Sequence, residues 1–113
     1  MESKGRYEAA FIIPVPNEKC LGDTGWEFKS ERTLPKATRE FLAGSLKLTF
    51  SENFSGMSTY ENDVLKATVI ENDVGEIEQV HLKLYGMTKK QLSLLFQDSP
   101  LASDAELFFP EVE

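Results

Sequence analysis

The sequence predicts an α+β fold: a single antiparallel sheet of about five strands packed against a C-terminal helix, with a second short helix near 35–43 competing with a loop. Three observations carry this. Apolar and polar residues alternate in several short runs, the period of half-buried strands. Glycine, asparagine, aspartate and proline punctuate those runs. One late segment, from Thr88, switches to helical spacing and opens with a cap.

Residues 1–5 read as a loose N-terminus. From Tyr7, residues Ala9, Phe11, Ile13 and Val15 recur at period two, and Ala10 and Ile12 make the run apolar on both sides, as in a central strand. Pro14 and Pro16 end it. Residues 17–25 read as a loop, followed by a half-buried strand in which Trp26, Phe28 and Ser30 alternate with Glu27, Lys29 and Glu31. Over 35–43, Pro35 suits a first helical turn and Gly44 a stop, with Leu34, Ala37 and Phe41 on one face; a loop fits nearly as well. From Ser45 a strand is expected, with Leu46, Leu48 and Phe50 inward, and then a polar loop over 51–63.

Two further strands are expected at about 64–70 and 77–85, joined by Glu71-Asn72-Asp73-Val74-Gly75-Glu76, whose composition suits a hairpin turn. Gly86 breaks the second of them. Thr88 and Gln91 form a capping box, Met87 and Leu92 a hydrophobic staple, and Pro100 limits the helix to about 88–97. Ser103-Asp104-Ala105-Glu106 reads as a second capping box opening one short turn.

The chain has 113 residues, a length for one domain, 1–113, and enough to bury a core without disulfides or metal. No apolar run approaches the roughly 18 residues of a membrane span, and Glu2 and Glu8 flank the longest, so neither a span nor a signal peptide is expected. Cys20 is the only cysteine; no internal disulfide can form, and a cytoplasmic location is expected. No G-x-S-x-G, G-x-G-x-x-G or P-loop pattern occurs, and one cysteine with one histidine cannot supply paired metal ligands. No catalytic residue, metal or cofactor is assigned, and the reading leans away from an enzyme.

Charge is the strongest functional signal. The net charge is −7, and all of it falls in residues 57–113, which hold four Lys/Arg against eleven Asp/Glu. Such a field repels nucleic acid and attracts cationic partners. If strand 64–70 runs down, the hairpin turns at the bottom, and the helix returns downward from the top of strand 77–85, then residues 98–113 form an acidic C-terminal segment at the hairpin's end. That end would gather Glu71, Asp73, Glu76, Asp98, Asp104, Glu106, Glu111 and Glu113, and residues 71–78 and 98–113 hold no lysine or arginine. The bland alternative is a solvated face kept for solubility.

Other candidates are weaker. Glu-Asn-Asp-Val occurs at 61–64 and 71–74. It reads as turn chemistry, because ten residues of strand at about 3.3 Å each would hold the copies roughly 30 Å apart. His81, Lys83 and Tyr85 share one strand face with Gln79, and a His–Lys–Tyr surface suits acid–base work on an anionic ligand, though any solvated strand looks similar. Lys29, Lys47 and Lys66 are expected on that solvated outward face too. Tyr85 and Trp26 are candidate interface anchors, with core packing the simpler role for Trp26. Cys20 beside Lys19 reads as an inert thiol.

The profile is similar to that of bacterial immunity proteins, which are small, acidic, non-catalytic and cytoplasmic and block basic toxin nucleases. The resemblance lies in size and charge and transfers no residues. It implies an inhibitor or adaptor that engages a basic protein, such as a toxin domain; the charge pattern puts the contact at Glu71, Asp73, Glu76, Asp98, Asp104 and Glu106, with Tyr85 as an aromatic anchor. The alternatives are a small enzyme or ligand-binding domain using His81, Lys83 and Tyr85, and a self-associating accessory subunit.

Overall fold

The computed structural model describes residues 7–23 and 25–110. The expected loose terminus and the carboxylates Glu111 and Glu113 lie outside that range. The fold is α+β and mostly sheet. Its strands are β1 (Glu8–Pro14), β2 (Glu18–Gly22), β3 (Gly25–Lys29), β4 (Thr49–Phe54), β5 (Met57–Glu61), β6 (Leu65–Glu71), β7 (Ile77–Leu84) and β8 (Ala105–Phe108). The helices are α1 (Ala37–Glu40), continued by a π turn over Phe41–Ser45, and α2 (Lys89–Gln97), followed by a 3-10 turn over Pro100–Ser103. Six strands form one antiparallel sheet in the order β4-β5-β6-β7-β1-β8, and β2 and β3 form a separate two-stranded sheet.

Register places Ala10, Ile12, Tyr60, Leu65, Ala67, Val69, Val80, Leu82 and Leu84 on one face of the large sheet, all buried. Leu92 and Phe96 of α2, Phe41 and Leu42 of the π turn, and Leu34, Leu46, Leu48 and Leu101 cover it. Each fully buried Leu, Ile or Val side chain contributes about 1.5–3 kcal/mol. The cover is therefore shared between α2 and the 34–48 segment, where the sequence assigned it to the C-terminal helix and left 35–43 open between a short helix and a loop. The capping box of α2 forms as its residue types require: Thr88 Oγ1 accepts from the Gln91 amide at 3.1 Å and Gln91 Oε1 accepts from the Thr88 amide at 3.0 Å.

The expected single sheet of about five strands is instead a six-stranded sheet and a separate two-stranded one, and four further expectations need correction. Residues 18–22 and 51–61 are strands rather than loops. Ser55 (φ 51°) and Gly56 (φ 79°) both adopt left-handed backbone, so β4 and β5 meet in a two-residue hairpin turn. Leu46 and Leu48 are buried as expected but precede the strand, and Phe50 is exposed. Gly44 does not stop the short helix: the chain winds on until the Leu46 amide bonds the Phe41 carbonyl at 3.0 Å, and Lys47 takes the left-handed position at φ 57°. Finally, Ala105–Phe108 is a strand, because the free edge of β1 has backbone groups to satisfy and β8 pairs with it from Phe11 to Pro14.

Candidate functional site

β1 runs antiparallel to both β7 and β8, with Ile12 opposite Val80 and Pro14 opposite Ala105. The β6–β7 hairpin and the start of β8 therefore lie at the same end of the sheet, on either side of the end of β1. The Val15 amide donates to the Asp104 carbonyl at 3.3 Å, which fastens the second segment there. Asp98 caps the C-terminal end of α2, and the 3-10 turn leads from it to Asp104. After Ala105 the chain turns away: β8 climbs beside β1, and the Lys89 Nζ at the start of α2 lies 5.6 Å from the Phe109 ring centroid. Residues 98–106 thus share the hairpin's end, and 107–110 run to the opposite one, against the expectation for the whole 98–113 segment.

Counter-ions reach this end from distant parts of the chain. Arg39 donates to Glu71 and, at 3.2 Å, to the Tyr60 hydroxyl. Burial pulls the Arg39 guanidinium down, but Tyr60 and Glu71 outweigh it and hold the group above its ordinary value. Lys19 pairs with Glu106 at 2.9 Å. Asp73, Glu76, Asp98 and Asp104 are exposed and form no ion pair among the described residues. Glu78 is exposed too and joins them; the sequence does not single it out because it sits within β7, where polar residues read as a solvated face.

Between this hairpin and the link after β3 lies a cavity of about 440 Å³ whose lining includes Lys29, Glu31, Arg32, Glu76, Glu78 and Gln79. A shallower one of about 860 Å³ shares Lys29, Glu31 and Arg32. Neither touches His81, Lys83 or Tyr85. Both signs of charge line the first, so the unneutralised carboxylates dominate at the hairpin tip and at Asp98 and Asp104 rather than across the whole end.

No family model, characterised protein or solved structure matches this chain. Among the described residues no three carboxylate, imidazole or thiol groups converge as metal ligands, and no helix is long and apolar enough to cross a membrane. What the acidic end offers chemically is exposed oxygen acceptors suited to ammonium and guanidinium groups.

The outward sheet face is not the open, solvated surface expected. β2 and β3 lie over its β1–β8 half, and Phe28 packs on Phe11 (centroids 4.9 Å) and Phe108 (5.8 Å), with Trp26 against Phe108 at 5.1 Å. His81 meets the Phe11 ring edge-on at 4.9 Å. Its Nε2 is buried with no hydrogen-bond partner, and burial first, then Lys83, lowers its pKa below the ordinary histidine value. Lys83 lies directly across from Lys66 and over the Tyr7 ring, and Tyr85 packs against Tyr7 at 5.9 Å. Tyr85 follows the far end of β7 from the acidic hairpin, so these two parts of the expected docking surface are separated by the strand's length, roughly 25 Å.

The repeated Glu-Asn-Asp-Val segments build turns. Asn62 Oδ1 accepts the Val64 and Leu65 amides, both at 2.9 Å, and Asn72 Oδ1 accepts those of Val74 at 3.0 Å and Glu76 at 2.9 Å. Cys20 is exposed with Glu27 opposite it, while Lys19 points to the other side of the strand towards Glu106. The base or cation that would activate a thiol is not supplied by either neighbour.

Proposed function

We propose that this chain is a protein-binding module of the inhibitor or adaptor kind, which docks a basic protein through the acidic end of its sheet. The observation that supports the reading is the group Asp73, Glu76, Glu78, Asp98 and Asp104: five exposed carboxylates at one end without ion-pair partners among the described residues. Unpaired carboxylates repel one another and gain when a cationic surface approaches. Glu71 and Glu106 act mainly as structural partners of Arg39 and Lys19. An immunity-type role against a basic toxin domain is the form of this function that fits the size and charge best.

The test is affinity capture from extracts of the native host at low ionic strength, comparing the chain with the triple variant Asp73→Asn, Glu76→Gln, Asp104→Asn. All three positions are exposed, so the variant should keep its stability within about 0.5 kcal/mol. The expected result is a basic protein retained by the wild type and lost from the variant. Retention of the same protein by both would reject the acidic end as its site.

A further inference from the structure

The edge of the large sheet at β4 is unprotected in a way that the other edge is not. All six residues of β4 are exposed, with Phe50 at 51% and Phe54 at 72% of full exposure, and Met57 across the turn at 42%. β4 pairs with β5 alone, and among the described residues its backbone makes no further backbone hydrogen bond. It contains no proline and no lysine, the usual guards of an edge. β8, at the opposite edge, has only four residues and is flanked by the Lys19–Glu106 pair and the Trp26–Phe28 layer.

From these observations we infer that the outer edge of β4 is a strand-docking site for an extended segment of another protein, one that carries an apolar and a basic side chain two residues apart and so on the same face. This inference is independent of the acidic end. Register puts Thr49, Glu52 and Phe54 on the same face as Thr59, Glu61 and Met57. An added strand would bond the free edge of β4 and set an apolar group beside Phe54 and a basic group beside Glu52, with Met57 and Glu61 of β5 one strand further in on the same face. Neither glutamate has an ion-pair partner among the described residues. A second copy fits poorly. β4 carries an irregularity between Phe50 and Glu52, which would face its own image, and each copy brings a net charge of −7 and a Glu52 near the symmetry axis.

The probe is a blocked peptide in which valine and lysine alternate at every second position, with threonine between them, so that both reach one face; it is added to the 15N-labelled full chain. Shifts concentrated in the amides of residues 49–54 are expected, with affinity falling on the order of tenfold in Phe54→Ser. A peptide N-methylated at alternate residues should lose binding because its edge cannot donate. Phe54 is exposed, so an unchanged amide dispersion will show that the variant folds. Shifts confined to residues 71–78 and 98–106, binding indifferent to N-methylation or to Phe54→Ser, or no binding at all would each overturn the inference. Concentration-dependent dimers abolished by Phe54→Ser would overturn the assigned occupant.

Discussion

Replacing Phe28 with alanine should loosen the β2–β3 layer and cost about 2–3 kcal/mol, somewhat less than truncating a fully buried phenylalanine because Phe28 is half-buried. Phe28 is the ring through which β3 grips Phe11 and Phe108, and Phe11 in turn abuts His81. The same substitution should therefore move His81. In the intact protein burial lowers the imidazole's pKa, so in the window between the folded value and the ordinary value near 6.5 the unfolded chain binds more protons than the folded one. Stability contributed by neutral His81 is present above the ordinary value and is lost as pH falls through it towards the folded one. In Phe28→Ala the imidazole should titrate closer to its ordinary value, displaced mainly by Lys83, and that part of the acid sensitivity should shrink. Denaturation at several pH values and an NMR titration of His81 measure both. Unchanged stability together with an unchanged titration would show that the layer is not held through Phe28.

Arg39→Ala should cost about 1–3 kcal/mol, because it strands the Glu71 carboxylate, which is largely buried, and leaves the Tyr60 hydroxyl without its donor. Glu71→Gln should cost less, since the neutral amide oxygen can still accept from Arg39 and Arg39 is the more exposed partner. A double-mutant cycle on the two should give a coupling of at least about 0.5 kcal/mol. The functional consequence has the opposite sign: Arg39→Ala removes one positive charge from the acidic end, so a basic partner should associate faster with a less stable protein. Loss of stability without faster association would separate Glu71 from the docking field.

The parts of the fold legible in the sequence are those where one face is buried and the other wet. β6 and β7 alternate cleanly because Leu65, Ala67, Val69, Val80 and Leu82 all face the core. The start of α2 was readable because its cap is local, made by residues three apart. β4 and β2 were not, because nearly every residue in them is exposed and no period survives. The Ser55-Gly56 turn lacks the Asn-Gly or Asp-Gly pair that marks a hairpin most clearly. β8 imitates a capping box, and its pairing answers to β1, more than ninety positions earlier.

The acidic end was legible only as net charge. The shared location of residues 71–78 and 98–106 follows from antiparallel topology, which alternation suggests. The neutralising groups do not follow: Arg39 lies 32 residues from Glu71 and Lys19 lies 87 from Glu106. Nor could alternation show that the hairpin Glu18–Lys29 folds over Phe11 and Phe108, because Trp26 and Phe28 look the same whether their apolar side meets one sheet or the other.

The most direct measurement is the association rate of the captured basic protein with this chain, followed by stopped flow across a range of ionic strength. Docking on the unpaired carboxylates predicts a rate that falls by tenfold or more as salt shortens the screening length, with a visibly shallower dependence for the Asp73→Asn, Glu76→Gln, Asp104→Asn variant. A rate indifferent to salt, or an identical dependence in both proteins, would contradict it.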